Sequence, residues 1–366
     1  MNRRSFLKNA GVGAGAAAVT TLATPAVHAQ KVTDMVIVST WSRDFPGLGT
    51  SAQRLAARIG ELSEGRLNVQ YFAAGERVGA FDSFDEVASG NAQAYTATDY
   101  YWKGKHPAWA YFTSVPFGLT YPEMDAWMKF GGGQELWDEL ADDYGLQNFA
   151  CGNTGVQMGG WFNKKVETVD DLKGLKMRIP GLGGDVMAKL GASPVSLPGG
   201  QIYENLVSGA IDATEWVGPW NDYFLKLYEA AKYYYYPGMH EPATQVAMGL
   251  NKSWFSSLSV GEQQIIKAAC MEENALQTAE TNRNNGIYLD KLINEHGVSL
   301  QKFSEEVYDA FGEASEEVFA ETMEHSDLAK RTHESFAKAR SELGRWMLLA
   351  DTGYTEQRNR VLGITV

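Results

Sequence analysis

The sequence predicts an α/β protein built from two lobes. Strand-like and helix-like patterns alternate along the chain, and the alternation starts again after Gly152. The chain has 366 residues, which is more than one hydrophobic core usually supports. Two α/β sets in tandem therefore explain both the pattern and the length.

The first set is predicted from short apolar runs and from the helical spacing of apolar residues. Its predicted strands are Met35–Val38, Leu67–Tyr71 and Ala92–Ala97, and its predicted helices are Leu48–Leu62 and Ser83–Ser89. Strands and helices that alternate in this way are typical of parallel sheets.

The same pattern predicts the second set. Its predicted strands are Leu175–Ile179 and Ala213–Val217, and its predicted helices are Gly183–Leu190 and Gly200–Ser208. A further strand is predicted at Val246–Leu250, after which the chain becomes helical in composition.

The helical part begins with a capping box, in which Ser259 precedes Glu262 by three residues. The helix it predicts runs almost to His296 and would be roughly 55 Å long at 1.5 Å per residue, long enough to cross both lobes. Ser304–Leu362 is predicted to be wholly helical. Its apolar cluster Trp346–Leu349 is expected to pack either on its own lobe or against a second subunit.

The first 29 residues are predicted to be a twin-arginine export signal. Arg3 and Arg4 precede an Ala- and Gly-rich stretch that is too short to span a bilayer, and Val27–Ala29 offers the small residues of a cleavage site. Cleavage would leave 337 residues and, with three basic residues lost, would deepen the net charge from −13 to −16. No other stretch is apolar enough to span a bilayer, so a periplasmic protein is predicted.

Composition excludes several classes of protein. Hydrophobic residues make up 44% of the chain and aromatic residues 12%, which is enough to bury a large core and excludes disorder. The net acidity argues against nucleic acid or an anionic membrane surface as the main partner. Two cysteines exclude a disulfide scaffold; Cys151 and Cys270 are predicted to be small buried residues, with a disulfide between them left open.

No catalytic residue or catalytic cofactor is predicted. The histidines of the mature chain lack metal-ligand spacing, and neither a Gly-x-Ser-x-Gly nor a Ser-x-x-Lys motif occurs. The candidate binding residues lie in the middle third. Arg178 ends a predicted strand, where its guanidinium suits a carboxylate ligand, although from the residues alone an internal salt bridge is the favoured alternative. Glu215 and Glu241 lie in separate segments beside aromatic residues.

Five segments together resemble the periplasmic solute-binding proteins of TRAP transporters, the DctP-type family, and within it the receptors for 2-oxo acids such as pyruvate. The segments are Tyr100–Gly104, Gly152–Phe162, Gly174–Arg178, Ile211–Pro219 and Tyr233–Gly238. The resemblance covers essentially the whole mature chain. It implies the two-lobe periplasmic binding protein fold, with a long helix crossing both lobes and a helical C-terminal extension.

The resemblance also implies a binding site between the lobes, in which Arg178 holds the substrate carboxylate and a cation bridges ligand and protein. The substrate-binding residues it implies are Arg178, Gln157, Trp216, Glu215, Tyr100, Tyr101, Asn153 and Glu241. The cation would be surrounded by Gln157, Glu215, Trp216 and Glu241. Tyr100 and Tyr101 would close the site from the first lobe.

Charge counting favours the cation independently. Two acids, one arginine and a monocarboxylate ligand carry a net charge of −2, which is costly to bury without a cation or a proton. Oxygen ligands favour a hard ion, Na⁺ or Ca²⁺, and the sequence does not choose between them. Asp99, Lys103 and His240 depart from the family pattern, and their segments are expected to touch the tail of the ligand.

The predicted function is a periplasmic receptor that binds a small 2-oxo monocarboxylate with a hard cation and delivers it to the small and large membrane subunits of a TRAP permease. The alternatives are a receptor for a 2-hydroxy acid such as lactate or for a longer 2-oxo acid, a receptor for a dicarboxylate or amino acid, and a periplasmic oxidoreductase exported in folded form.

The predicted division of the chain has four parts. Residues 1–29 form the signal, residues 30–152 with 242–270 the first lobe, residues 153–241 with 271–335 the second lobe, and residues 336–366 a helical extension. The extension is the predicted homodimerisation element.

Overall fold

Two β-sheets covered by helices form the protein in the computed structural model, which describes residues 32–365. The predicted export signal lies outside the described residues. The strands are β1 (Thr33–Ser39), β2 (Leu67–Phe72), β3 (Ala94–Ala97), β4 (Leu146–Asn153), β5 (Gly160–Phe162), β6 (Lys176–Arg178), β7 (Ser193–Val195), β8 (Ala213–Thr214), β9 (Tyr233–Tyr236), β10 (Gln245–Asn251) and β11 (Ser299–Lys302). The helices are α1 (Leu48–Leu62), α2 (Ser83–Ala88), α3 (Tyr121–Phe130), α4 (Gly133–Asp142), α5 (Gly181–Lys189), α6 (Gly199–Val207), α7 (Pro219–Phe224), α8 (Leu227–Ala230), α9 (Lys252–Ser257), α10 (Val260–Asn294), α11 (Glu305–His325), α12 (Asp327–Met347) and α13 (Gly353–Leu362).

The sheet of the first lobe has the strand order β2-β1-β3-β10-β4. Strands β1, β2 and β3 are parallel, as predicted, but β10 runs antiparallel to both β3 and β4. The sheet is therefore mixed, with the predicted parallel strands on one side and β10 antiparallel to its two neighbours. The chain enters β10 from the other lobe, so this strand runs through the sheet in the opposite direction to its neighbours.

The sheet of the second lobe has the order β11-β9-β5-β8-β6-β7 and is also mixed. The strand predicted over Ala213–Val217 ends at Thr214. Beyond it the Glu215 backbone N–H donates to the carbonyl of Arg178, and the Val217 N–H donates to the Asp222 carboxylate. These bonds turn Glu215 and Trp216 away from the ladder and towards the cleft.

Helix α10 links the two lobes. It begins with the predicted capping box, since the Ser259 hydroxyl accepts from the Glu262 N–H at 3.3 Å and the Glu262 carboxylate accepts from the Ser259 N–H at 2.9 Å. Its 35 residues pack against α1 and β4 on the first lobe and against α7 on the second. The prediction of a long helix that crosses both lobes is confirmed.

The C-terminal part is helical, as predicted. Helix α11 packs on α5, and α12 packs on α3 and α4, where Phe336 meets the buried ring of Trp127. Beyond that contact the apolar side chains face outward, and Trp346 is 65% and Leu349 77% exposed. In the part of the chain that the structure describes, no helix has the length and apolar character needed to cross a membrane.

Candidate functional site

The predicted binding residues meet in the cleft because they follow the ends of strands from both sheets. Arg178 ends β6, and Glu215 and Trp216 follow β8. The first lobe contributes Tyr100 and Tyr101 from a 3₁₀ turn after β3. Ligands of open α/β sheets bind beyond the carboxyl ends of the strands, and these side chains lie at that position.

Arg178 is the central cation of the cleft and is 1% exposed. Its Nη1 donates to the side chain of Glu215 and, at 3.2 Å, to the backbone carbonyl of the same residue. Its Nε donates to the Leu197 carbonyl at 3.2 Å, and its guanidinium carbon lies 5.0 Å from the centre of the Trp216 ring. Nη2 is buried and has no hydrogen-bond partner among residues 32–365. The internal salt bridge is therefore present, and one guanidinium nitrogen still lacks an acceptor.

Three buried side chains form a cluster beside this arginine. Glu215, His240 and Glu241 each place a ligand atom within 4.8 Å of the other two, and each is at most 3% exposed. His240 Nε2 and Glu215 Oε2 are 3.4 Å apart. Both acids were predicted at the site. The segment of His240 was expected only near the ligand's tail, and the structure places the His240 side chain within 4.8 Å of both carboxylates.

Gln157 holds Glu241 in place. Its Nε2 donates to Glu241 Oε2 at 2.7 Å and to the Thr244 hydroxyl at 2.8 Å, and the Thr244 hydroxyl also donates to Glu241. The amide oxygen of Gln157 is buried and has no protein donor within the described chain. Gln157 therefore offers an oxygen ligand next to an oriented carboxylate.

The first lobe covers the site with Tyr100 and Tyr101. Together with Trp216 and Gln157 they line a small cavity. Burial raises the pKa of both tyrosine hydroxyls above their usual range, so these groups stay neutral hydrogen-bond donors. Tyr100 lies against Gly181, where an added Cβ would stand 3.4 Å from its ring.

Two buried residues of these segments have structural roles. The Asn153 side-chain oxygen accepts from the Gly155 N–H at 2.9 Å and so orders the turn that leads to Gln157. Asp99 is wholly buried and accepts hydrogen bonds from Tyr95 and Trp137, so it anchors the turn that carries Tyr100. That the segment of Asp99 touches the tail of the ligand stays a prediction.

The electrostatics of the cluster favour extra positive charge. Burial and then the charge of Glu215 raise the pKa of Glu241 to about 7. Burial lowers the pKa of His240, but Glu215 and Glu241 outweigh it and raise the pKa above its usual value. Two carboxylates and an amide oxygen are donors that suit a hard cation, so the residues present fit the predicted ion.

A larger cavity of about 380 Å³ adjoins the small one. Trp41 and Trp216 line both, and Phe45 and Leu225 extend the apolar wall of the larger cavity. No charged residue is among the residues that line it. The cleft therefore provides apolar space next to the charged cluster.

The thiols of Cys151 and Cys270 are buried and free, so the open question of a disulfide is answered in the negative for this structure. Burial raises the pKa of both thiols. They act as small apolar side chains, as predicted.

Two lobes that close over a buried arginine and an acid cluster define a receptor for a small anionic solute. The chain belongs to the bacterial extracellular solute-binding proteins of family 7, the DctP family, whose model matches residues 37–326. The predicted family and the two-lobe fold are confirmed.

Known proteins of this family are similar along most of the chain. A monocarboxylate 2-oxoacid-binding periplasmic protein of Nostoc sp. strain PCC 7120 is 38% identical over 318 residues, 87% of each chain. A TRAP periplasmic solute-binding protein from Pseudoalteromonas atlantica T6c, solved with bound sodium and pyruvate, is 39% identical with a TM-score of 0.87, over 89% of this chain and 99% of that one.

A third relative is a TRAP transporter solute-binding protein from Bordetella bronchiseptica RB50, solved as a mixed-occupancy dimer with calcium and picolinate in the occupied site. It is 32% identical with a TM-score of 0.89, over 91% of this chain and 99% of that one.

Proposed function

We propose that this protein is the periplasmic receptor of a TRAP transporter and that it binds a small 2-oxo monocarboxylate, such as pyruvate, together with a cation. The observation that carries the proposal is the buried Nη2 of Arg178, which lacks an acceptor in the described chain and lies in the cleft beside Glu215 and Glu241. The receptor then passes its solute to the membrane subunits of the permease.

The chemistry of the ligand follows from this pairing. Arg178 accommodates the carboxylate, while Glu215, Glu241 and the amide oxygen of Gln157 surround the cation. Pyruvate and picolinate, the ligands of the two solved relatives, share one feature: a donor atom on the carbon that bears the carboxylate. Such a ligand chelates a cation through that atom and a carboxylate oxygen, which links the two halves of the site.

A 2-hydroxy acid such as lactate also carries a donor on that carbon and is the second candidate ligand. The apolar cavity next to Trp216 has room for the side chain of a longer 2-oxo acid. A dicarboxylate would bring one more negative charge into a cleft that already contains two acids, which disfavours it.

The proposal also covers the catalytic status, export route, domain boundaries and oligomeric state of the receptor. The receptor is non-catalytic, is exported by the twin-arginine pathway, keeps the predicted lobe boundaries and forms a homodimer through residues 336–366. Its eight predicted substrate residues contact the ligand directly, except Asn153, which supports the turn before Gln157.

Isothermal titration calorimetry on chelator-treated protein tests the proposal. Pyruvate and lactate are titrated with Na⁺, with Ca²⁺ and without either ion, and a thermal-shift panel adds longer 2-oxo acids, dicarboxylates and amino acids. Cation-dependent binding of pyruvate is expected. Binding of a dicarboxylate or amino acid alone would refute the substrate class, and turnover of a 2-oxo acid would refute the receptor role.

A further inference from the structure

We infer that the cation site of this protein takes a divalent transition-metal ion of the Mn²⁺, Co²⁺ and Zn²⁺ class, with His240 as a nitrogen ligand beside Glu215 and Glu241. The inference rests on the proposed function, because it concerns the ion that accompanies the substrate. It changes the class of the ion, since the solved relatives hold sodium and calcium.

The first observation is a set of buried ligand atoms that converge. His240 Nε2 and Glu215 Oε2 face each other at 3.4 Å, the distance of a long ion pair, and neither meets a hydrogen-bond partner within residues 32–365. Glu241 offers the third ligand atom within 4.8 Å. Buried polar atoms without partners are rare in native proteins, and several in one place point to a missing ligand.

The second observation is that the backbone leaves room for the imidazole in this position. A Cβ at Gly183 would stand 2.7 Å from the Cβ of His240, and a Cβ at Gly238 would stand 3.0 Å from its Cε1. The segment is also fixed on both sides, because the Phe117 N–H donates to the Met239 carbonyl and the Gln157 N–H donates to the Glu241 carbonyl. The ring is therefore held in the cluster by its surroundings.

The donor set decides the class of ion. Na⁺ and Ca²⁺ are hard ions that take oxygen ligands, whereas imidazole suits first-row transition metals. Two carboxylates with one histidine form a mixed set that Mn²⁺, Co²⁺ and Zn²⁺ accept readily. With Arg178 and a monocarboxylate ligand the site carries −2, and a divalent ion neutralises it.

A simpler role for His240 is an ion pair with Glu215. In that role the protonated histidine neutralises one acid. The site then binds transition-metal ions no more tightly than it binds calcium. The two roles differ in how a substitution that removes the nitrogen ligand and keeps an oxygen donor changes metal preference. The ligand role predicts that pyruvate affinity with transition metals falls relative to calcium, whereas the ion-pair role predicts no such change. His240→Gln is such a substitution, since its amide provides a hard oxygen in place of the ring.

The experiment uses tag-free, chelator-treated protein. Pyruvate affinity is measured by calorimetry with Na⁺, Ca²⁺, Mn²⁺, Co²⁺ and Zn²⁺ in turn, for the wild type, for His240→Gln and for His296→Gln. His296 is exposed, with its ring 4.1 Å from that of Tyr228, so its variant controls for surface binding of metal.

We expect the wild type to bind pyruvate at least about tenfold more tightly with Co²⁺ or Zn²⁺ than with Ca²⁺. In His240→Gln the pyruvate affinity should fall about tenfold or more with Co²⁺ and Zn²⁺, and it should stay within about threefold of the wild-type affinity with Ca²⁺. His296→Gln should match the wild type. The same ratio of Co²⁺ to Ca²⁺ affinity in His240→Gln and the wild type would overturn the inference.

A second measurement uses only the wild type, so its result does not depend on whether His240→Gln folds correctly. Pulsed electron paramagnetic resonance of the Mn²⁺-loaded protein should detect coupling to an imidazole nitrogen, and absence of that coupling would also overturn the inference. Binding of pyruvate with Na⁺ or Ca²⁺ only would refute the inference and leave the proposed function intact. Failure to bind pyruvate with any ion would refute the proposed function itself.

Discussion

Under the proposed function, ligand binding depends most directly on Arg178. Replacing it by alanine removes the unpartnered Nη2 and leaves Glu215 without its cation. Arg178→Ala should therefore weaken pyruvate binding by at least ~2 kcal/mol, roughly thirtyfold, in calorimetry. Lys176→Ala, at the exposed first residue of the same strand, is the control and should bind normally. Unchanged affinity in Arg178→Ala would mean that the arginine only pairs with Glu215 and does not bind the ligand.

Asp99 links the turn before Tyr100 to the core, and its ionisation makes stability depend on pH. Burial raises the pKa of its carboxyl to about 7, above the value of 3.8 expected in the unfolded chain. The folded state therefore holds the proton more tightly, and this contribution to stability is lost as the pH rises from about 4 through about 7. At pH 8 the ionised, buried carboxylate costs up to roughly 4 kcal/mol.

Asp99→Asn should remove that cost while its amide still meets Tyr95, Trp137 and Asn148. In denaturant unfolding the variant should be more stable than the wild type at pH 8, and the difference should shrink towards pH 5. Asp309→Asn, at an exposed carboxylate of α11, should show no such trend. A difference that does not change with pH would contradict a raised pKa at Asp99.

The residues of the site differ in how far the sequence could predict them. Arg178 is conspicuous because an arginine at the end of a buried strand needs a charged partner. His240 gives no such signal: it is a single histidine without ligand spacing, and it reaches Glu215 only because the loop before β10 folds back against the end of β8. That approach is a tertiary effect that local patterns do not contain.

At the scale of elements, amphipathic helices were predicted most accurately. The bounds of α1 agree to the residue, since its apolar stripe is complete over fifteen residues. Short strands were predicted poorly. Residues Tyr233–Tyr236 form β9, but a run of four tyrosines has no alternation of apolar and polar residues. Strand β8 has only two residues because the chain must leave the sheet to form the site.

One contact between elements joins the lobes at the mouth of the cleft. Lys103, at the end of the turn after β3, lies 2.5 Å from the Asp185 carboxylate on α5 of the second lobe. The side chains are 31% and 42% exposed, so the pair contributes about 0.2–1 kcal/mol to the closed form. Because it exists only when the lobes approach, it should slow ligand release.

Lys103→Ala, Asp185→Ala and the double variant should each release pyruvate a few-fold faster in stopped-flow displacement, and the double variant should add little to either single one. The effect should diminish in high salt. Neutralising Lys129 and Asp125, a pair within α3, should leave release unchanged. Fully additive effects of the two substitutions would show that the residues do not act as a pair.

For the whole molecule, the length of the chain predicted two lobes correctly, whereas its charge did not predict the ligand. The chain carries a net charge of −13, yet a solved relative that is 39% identical to it binds pyruvate, a small carboxylate. Overall charge describes the field at a distance, and that field is screened within roughly 10 Å. An acidic surface is therefore compatible with the proposed anionic ligand, because one buried arginine with an available nitrogen acts at contact distance.

The exposed apolar residues at the end of α12 and just after it concern the whole molecule, because nothing within residues 32–365 covers them. Trp346, Leu348 and Leu349 are each more than 60% exposed, and α13, which lies within the described chain, has no buried residue. Contiguous apolar residues of this kind mark contact surfaces. We expect the mature protein to be a dimer in light scattering at micromolar concentration.

Leu348→Glu with Leu349→Glu should convert that dimer to a monomer, since it places two charges in the contact and disturbs no buried core. Leu276→Glu, at a 45% exposed position of α10, tests whether any exposed leucine has this effect, and it should leave the dimer intact. Pyruvate affinity should not change in either variant, because the cleft is formed within one subunit. A monomeric wild type, or a dimer that survives both charges, would show that these residues serve another contact.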